Sequence, residues 1–473
     1  MESVKKSWLV SELLVTIWLK KFNELNGVYM SQSLNEKVVG VKTLNELINA
    51  LSNASTKLVK LTSTIVSPHD LFVPEGISLQ GGESSPATLS FSQGGGLGLF
   101  GNNTISNLSV ITTPSARAIF LVAGQKQYGK IELTNLIVTG QVGLILRVGS
   151  DQAAIIAENI HVVASDSRAY TEQPQKYGVN VLQGAFTVYN FNGDAASKIT
   201  ASLTNISVGM RGAPVLGSGI FIGGFGDVGG SVEVERLTTG PVYSHGLLTS
   251  GTADFITAGV FLLYGAHAQK IENIEEVVTY GINDMVLDNW GSVTEWICKK
   301  PILSYGASGI GFVNFGTVDN FIAEDSIVTY GEGARGFNQY DGTVKNIKFK
   351  SITTHGNGSI GIQISKPIGS LTIDEDLETF GGLGSSLVKG VNLKLHALAL
   401  SIKPGGVVEV ITVGGAIISH GENVDAYSVD GGMVKAISVA RGIRARGKDA
   451  HAMRLENGGK SPTANLTLIP PSP

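Results

Sequence analysis

Asp288, Tyr330, Arg335 and His355 are the residues whose types and spacing best fit chemistry on a substrate. An arginine or a histidine can neutralise a carboxylate or move a proton, and an aspartate can act as a base or hold a cation. They stand among aromatic residues repeated at a fixed step. Tyr280, Tyr305, Tyr330 and His355 fall 25 residues apart, and Phe380 and His420 continue the series. Trp290, Phe315 and Tyr340 form a second series with the same step. Flat rings on a rigid wall suit the apolar face of a sugar or an aglycone. Asp288, Tyr330, Arg335 and His355 are therefore the candidate catalytic residues. Tyr280, Trp290, Tyr305, Phe315, Asn338 and Tyr340 are the candidate substrate-binding residues. Each has a plainer alternative. Stacked aromatics steady neighbouring repeats or lie under a partner subunit, and a lone polar residue is an ordinary part of a surface.

What must position these residues is a repeat. Gly281, Gly306, Gly331, Gly356 and Gly381 stand 25 residues apart, each after a tetrad such as Val-Val-Thr-Tyr; Gly421 and Gly447 resume after steps of 40 and 26. A period of this size marks a solenoid, whose coils cannot bury their apolar faces singly. In a parallel β-solenoid, residues one coil apart lie about 4.8 Å apart and share a column. Val277, Ile302, Ile327, Ile352, Leu377, Ile417 and Ile443 make an aliphatic column that faces the core. By alternation Thr279, Ser304, Thr329, Thr354, Thr379 and Ser419 also face inward, where their hydroxyls can bond the turn backbone. The ring column between them faces out. Glu275, Lys300, Asp325, Lys350 and Glu375 alternate in sign, which reads as charge pairing between coils. Asn289, Asn314 and Gln339 read as an amide ladder at a turn. Asp288, Val313, Asn338 and Gln363 form an outward row beside the tryptophan column, while Arg335 is a lone cation in the row Met285, Ile310, Arg335 and Ile360.

A second unit, Asn-(Leu/Ile)-x-Val, recurs at Asn107, Asn135, Asn159 and Asn205 and carries the coil back to about residue 57. The regularity breaks over Asp166–Gly178, over about Thr238–Asp254, and between Gly381 and Gly406. Such insertions project from one face of a solenoid and often build a binding wall.

Upstream, Thr43-Leu-Asn-Glu46 is a capping box, and Leu44, Leu47, Ile48 and Leu51 follow at helical spacing. Strand alternation starts at Leu58, and then comes Leu71-Phe72-Val73-Pro74-Glu75-Gly76-Ile77-Ser78-Leu79-Gln80-Gly81. This opening resembles that of right-handed parallel β-helix proteins of the pectate-lyase-like superfamily, in which a short helix plugs the N-terminal end of the core. The resemblance covers nearly the whole chain and implies the fold, whereas function must be read from the site. The Arg-x-Pro-x-x-Arg segment and calcium aspartates of pectate lyases are absent. So are the Asn-Thr-Asp, Asp-Asp, Gly-His-Gly and Arg-Ile-Lys motifs of polygalacturonases, of which Ser244-His245-Gly246 and Thr354-His355-Gly356 are loose echoes. The turn cadence is also similar to that of autotransporter passenger domains, which are adhesive β-helices, but without their signal or C-terminal barrel.

Composition narrows the rest. With 473 residues, 61 glycines, 14 prolines and a net charge of −4, the chain suits short strands and tight turns and has no basic excess for nucleic acid. A lone cysteine, Cys298, excludes an internal disulfide framework. No His/Cys cluster suggests zinc, Asp374-Glu375-Asp376 lacks calcium-loop spacing, and the glycine runs do not follow a strand-to-helix pattern, so neither metal nor cofactor is expected. The apolar run Trp8–Leu19 behind Lys5 and Lys6 is too short to span a membrane and reads as an amphipathic helix rather than a signal. That makes the cytoplasm the default location and leaves export open.

The expectation is thus an all-β chain: a single-stranded right-handed parallel β-helix over 57–466, an N-terminal helical cap segment over 1–56, and a Pro-rich tail over 467–473. Its expected role is carbohydrate-active, lyase- or hydrolase-like, with an oligo- or polysaccharide bound along the aromatic wall. The alternatives are a non-catalytic adhesin-like or structural β-helix, and a homo-oligomer whose aromatic rows form the interface.

Overall fold

The computed structural model describes residues 37–82, 86–252, 254–388 and 390–471, and nearly all of these belong to one compact unit that begins at Val38. The Trp8–Leu19 run lies outside the described residues. The capping box is present: Thr43 Oγ1 accepts from Glu46 N (3.3 Å), and Glu46 Oε2 accepts from Thr43 N (3.2 Å). It opens a helix, Leu44–Leu51, that buries Leu47, Ala50 and Leu51 against the apolar core. From there on the described chain is strand and turn.

Each regular coil supplies three strands, for example Ser292–Cys298, Ile302–Ser304 and Ile310–Asn314. Strands one coil apart pair in parallel, giving among the described residues one sheet of 26 strands and one of 16, of which 14 are coil strands and two belong to an inserted arm. The aliphatic column is in register as expected, with Val277, Ile302, Ile327, Ile352, Leu377, Ile417 and Ile443 paired in succession and buried. Phe312, Phe321, Phe337 and Phe349 pack with Trp296 between the sheets. Burying a side chain of that size contributes about 2–3 kcal/mol.

The glycine ladder has a steric cause. These glycines have ordinary negative φ, but the missing side chain leaves room for the preceding coil. A Cβ at Gly331 would overlap the Gly306 carbonyl oxygen and lie 2.6 Å from Ala307 N; one at Gly447 would overlap the Gly421 carbonyl and lie 2.7 Å from Glu422 N. Two residues further on, the backbone is left-handed in coil after coil: Asn283, Ser308, Gly333, Gly358, Asn423 and Asp449 have φ of 57°, 56°, 68°, 68°, 54° and 54°. Glycine and short polar residues tolerate that region best. The Asn-(Leu/Ile)-x-Val unit has the same origin. Asn107, Asn135, Asn159 and Asn205 have φ near 54°, and their side-chain amides bond from coil to coil at 2.9, 3.0 and 2.9 Å.

The hydroxyl row is buried as expected, but only part of it bonds the turn. Thr354, Thr379 and Ser419 donate to Ser359 O, Ala397 O and Val424 O, whereas Thr279, Ser304 and Thr329 have no side-chain partner among the described residues. In the charge row, Lys350 and Asp325 pair at 3.4 Å.

All three irregular stretches leave the solenoid at the corner that precedes the 16-stranded sheet. The first, between the strands Gln152–Ala164 and Gly184–Asn190, is an arm containing a short antiparallel pair, Gln175–Lys176 and Val179–Val181. The second is a short loop after Ser231–His245. The third is an antiparallel hairpin, Leu383–Val388 and Val391–His396, closed at its neck by a bond from Ala397 N to Gly382 O. The arm pairs Asn180 and Val181 with Phe255 and Ile256 of the 16-stranded sheet and carries its turn across to Trp290 and Phe315, while the hairpin lies over the sheet's outer face at Ser308 and Gly333.

Candidate functional site

The first aromatic column is one continuous stack. From Tyr280 through Tyr305, Tyr330, His355 and Phe380 to His420, ring centroids follow at 5.4, 4.9, 5.0, 5.2 and 4.4 Å, with interplanar angles of 6°, 8°, 6°, 11° and 17°. The column faces outward, and Tyr305, Tyr330 and Phe380 are 44%, 44% and 42% exposed. Each inner ring has both faces covered by its neighbours, so the wall offers ring edges to solvent. A sugar that needs an open ring face finds none between Tyr305 and Phe380. The ladder instead holds successive coils together, each stacked pair contributing about 0.5–1.5 kcal/mol. His420 also bonds Glu378 at 2.7 Å.

The second column is different because the arm covers it. Trp290 is buried, and Tyr177 from the arm stands edge-on to it at 5.2 Å and stacks on Phe315 at 4.5 Å. Phe315 in turn stacks on Tyr340 at 5.0 Å. Tyr177 and Gly178 form the two-residue turn of the arm's antiparallel pair, with φ of 56° and 86°. A tyrosine in the left-handed region costs about 1 kcal/mol, and strain of this kind gathers at ligand clamps. The arm is pinned five residues before the tyrosine. Glu172 lies between Arg117 and Arg147, the latter at 2.6 Å, and Arg117 also stacks on Tyr170 at 4.4 Å. Burial would raise the Glu172 carboxyl, but the two guanidiniums outweigh it and hold it below its usual range.

Between the arm and the hairpin lies a cleft of about 360 Å³. Its floor is Met285, Ile310, Val313 and the Trp290–Phe315–Tyr340 column; Tyr177 and Val179 form one wall, Leu387 and Gly390 the other. The rim is polar: Asn283, Ser308 and the Asp341–Lys366 ion pair at 3.3 Å. Burial and the carboxylates of Asp341, Asp227 and Asp288 push the Tyr177 phenol up to about 12, so at neutral pH it stays a proton donor. Below the corner, Asp284 accepts from Thr257 Oγ1 (2.6 Å), Gly281 N (2.7 Å) and Gly246 N (3.0 Å), tying the second irregular loop to the first glycine of the ladder.

The expected polar cluster is not an open one. Asp288, Asn338 and Arg335 are 0%, 0% and 1% exposed, because the insertions cover the face they share. Among the described residues, the Asp288 carboxylate oxygens and both Asn338 side-chain atoms have no hydrogen-bond partner. Burial pushes the Asp288 carboxyl well above its usual range; the Trp290 indole beside it opposes this in part, without reaching hydrogen-bond geometry. Tyr330 and His355 belong to the outer ladder, on the other side of the corner. The site residues therefore separate into three environments: a stacked ladder (Tyr280, Tyr305, Tyr330, His355), a covered cleft (Trp290, Phe315, Tyr340) and a sealed row (Asp288, Arg335, Asn338). The amide ladder is as read: Asn289 Nδ2 donates to Asn314 Oδ1 at 2.7 Å and Asn314 Nδ2 to Gln339 Oε1 at 3.0 Å.

On the other side of the hairpin a second cleft, of about 310 Å³, is lined by charge, with Lys394, His396, Lys403, Asp425, Asp430 and Arg454 among its residues. Asp425 is held by Arg454 at 2.6 Å and His451 at 3.0 Å, and Asp430 by Lys403 at 3.4 Å. The hydrogen bond from Asn457, more than the nearby lysine, holds the Asp430 carboxyl below its usual range. Sequence reasoning missed this cleft, since its charged residues lie beyond the regular 25-residue ladder. It also missed Tyr177 and Glu172, whose one signal was the polar break over Asp166–Gly178. Among the described residues no cluster of three or more His, Cys, Asp or Glu has metal-binding geometry, and no helix is long and apolar enough to cross a membrane. Comparison with protein-family models, with curated proteins and with solved structures gives no match to this chain.

Proposed function

We propose that this chain is a carbohydrate-active β-solenoid, related in fold to the pectate-lyase-like superfamily, that takes a saccharide ring or its flat aglycone in the cleft between arm and hairpin. The observation that carries the reading is the convergence of Tyr177, Trp290, Phe315 and Tyr340 on a cleft with a polar rim, under a tyrosine held in strained backbone. Apolar ring contacts with a few placed polar groups are what sugar-sized ligands need. Arrays of neutral and acidic glycans, combined with assays for release of reducing ends and of unsaturated products, test it. Wild type should bind a glycan that Tyr177→Ala and Phe315→Ala lose and that Tyr280→Ala retains. If no glycan binds, or if binding survives both cleft substitutions, the reading falls.

One observation favours a second reading, that of a non-catalytic, adhesin-like binder. Asp288 and Arg335, the expected acid–base residues, are sealed from the cleft, and the carboxylate and ammonium on its rim, Asp341 and Lys366, are paired with each other at 3.3 Å. Binding without turnover in the same assays supports that version.

A further inference from the structure

Arg335 sits at the midpoint of the outer face, under the hairpin. Its register partners are Ile310, which lines the apolar cleft, and Ile360, which lines the charged one. The guanidinium is buried, yet no carboxylate pairs with it among the described residues. Nη1 donates to Ser386 Oγ at 3.1 Å and, at 3.4 Å, to Gly333 O, while Nε and Nη2 have no partner among the described residues. Those two nitrogens form one edge of the guanidinium, the fork that matches the two oxygens of an oxyanion. Buried polar groups are nearly always satisfied, and a buried cation without a counter-charge is among the costliest exceptions. Burial alone already draws its pKa down.

The cover over Arg335 is slight. Among the hairpin's described residues only Gly384 and Ser386 are buried, and Leu383, Val391 and Leu393 are 53%, 57% and 43% exposed. Besides the contacts of Ser386, the hairpin is held to the coils beneath by Ser385 N to Glu332 Oε1 (2.7 Å) and Leu387 N to Ser308 Oγ (2.9 Å). An element with so few buried apolar contacts opens at low free-energy cost.

We propose that Arg335 is the anchor for an oxyanion, a carboxylate or a sulfate carried by a saccharide, and that the hairpin Leu383–His396 lifts to admit it. The two clefts then become halves of one groove, with Ser386 Oγ standing in for the ligand oxygen while the hairpin is closed. This rests on the saccharide reading of the apolar cleft and adds the charge class of the ligand.

Arginine accessibility tests the anchor with defined probes. Phenylglyoxal labels accessible arginines, and peptide mass spectrometry reads Arg335 separately from the rest. Excising Leu383–His396 leaves 26 residues from Gly381 to Gly421, the same step as from Gly421 to Gly447, so the coil can close. Labelling of Arg335 should rise about tenfold or more on excision, because a marginal cover is replaced by none. In the full chain, either a hyaluronan tetrasaccharide, which carries carboxylates, or a carrageenan tetrasaccharide, which carries sulfates, should slow it severalfold, and which one does so identifies the oxyanion; cellotetraose should not. Arg335→Met should raise Tm, since it removes an unpaired buried charge, while abolishing titration by the acidic probe. Labelling unchanged by excision, or an acidic probe that protects no better than cellotetraose, overturns the proposal. Neutral glycan binding that depends on Phe315 but shows no acidic preference retires the Arg335 anchor and leaves the cleft reading standing. Acidic binding that depends on Arg335 but not on Phe315 does the reverse.

Discussion

Gly331→Ala should cost far more than an alanine normally does at an ordinary turn. The new Cβ would overlap the Gly306 carbonyl oxygen and lie 2.6 Å from Ala307 N, atoms of a backbone held on both sides by its own coils. Neither can retreat as a flexible side chain would, so the two coils must separate at this corner. Bonds that cross the same corner are Tyr330 N to Ser304 O (2.9 Å), Ser308 N to Glu332 O (2.8 Å) and Arg335 N to Gly309 O (2.9 Å). Weakening these at about 1 kcal/mol each, with overpacking strain added, gives roughly 3–5 kcal/mol. Gly382→Ala is the control, because the nearest atom to its Cβ is Asn357 Oδ1 at 3.8 Å; it should stay within about 0.5 kcal/mol of wild type. Chemical denaturation gives the totals. Hydrogen exchange should place the loss at coils 304–335, since a solenoid transmits strain chiefly to neighbouring coils. A Gly331→Ala variant within about 1 kcal/mol of wild type would refute the close-approach account of the ladder.

Other consequences can be measured on the same protein. The raised carboxyl of Asp288 keeps its proton in the native state at pH values where the unfolded chain has lost it. Stability from this group is therefore greatest below the unfolded pKa and falls as pH rises towards the folded one, by up to about 1.4 kcal/mol per pH unit. Asp288→Asn should remove that slope, seen as a smaller fall in urea midpoint between pH 4.5 and pH 8 than in wild type; equal falls would count against it. Glu172 has the opposite sign: its carboxyl is depressed, so its contribution is present above the unfolded pKa and lost as pH drops through the folded one. Glu172→Gln leaves Arg117 and Arg147 facing each other, and for a pair with side chains about one-fifth exposed the cost should be roughly 2 kcal/mol. Hydrogen exchange should speed up over 170–181 and not in the coils beneath. Asn314→Asp replaces the donor to Gln339 Oε1 with an acceptor, which should lower stability by about 2–3 kcal/mol at neutral pH and recover in part in acid, read by denaturation at both pH values.

The architecture was legible because it rests on contacts repeated at one step. The aliphatic column from Val277 to Ile443, the amide ladder at Asn289, Asn314 and Gln339, and the ring column from Tyr280 to His420 each occupy one position per coil, so spacing alone assigns their environment. The arm and hairpin were legible only as breaks in the period. Nothing local to Tyr177 announces that it crosses to Trp290 and Phe315, more than a hundred residues on, and nothing near Arg335 announces that Ser386 will cover it. For the same reason outward pointing was a poor guide to exposure: Asp288, Asn338 and Trp290 do lie on the outer face, and that face is buried by chain from elsewhere. The ring faces of the ladder were misjudged for a geometric reason. A step of one residue per coil brings the rings face to face at about 5 Å, which uses up the surface a sugar would stack on.

The most direct measurement is calorimetric titration of the best glycan from the array into wild type, Phe315→Ala and Tyr305→Ala, each first shown to melt cooperatively. Phe315 is stacked on by both Tyr177 and Tyr340, so its removal should weaken binding about tenfold by loosening the two rings that line the cleft beside it, whereas the ladder substitution should leave affinity within about twofold. Affinity that falls with Tyr305→Ala and holds with Phe315→Ala would contradict the account, and would return the binding face to the outer ladder.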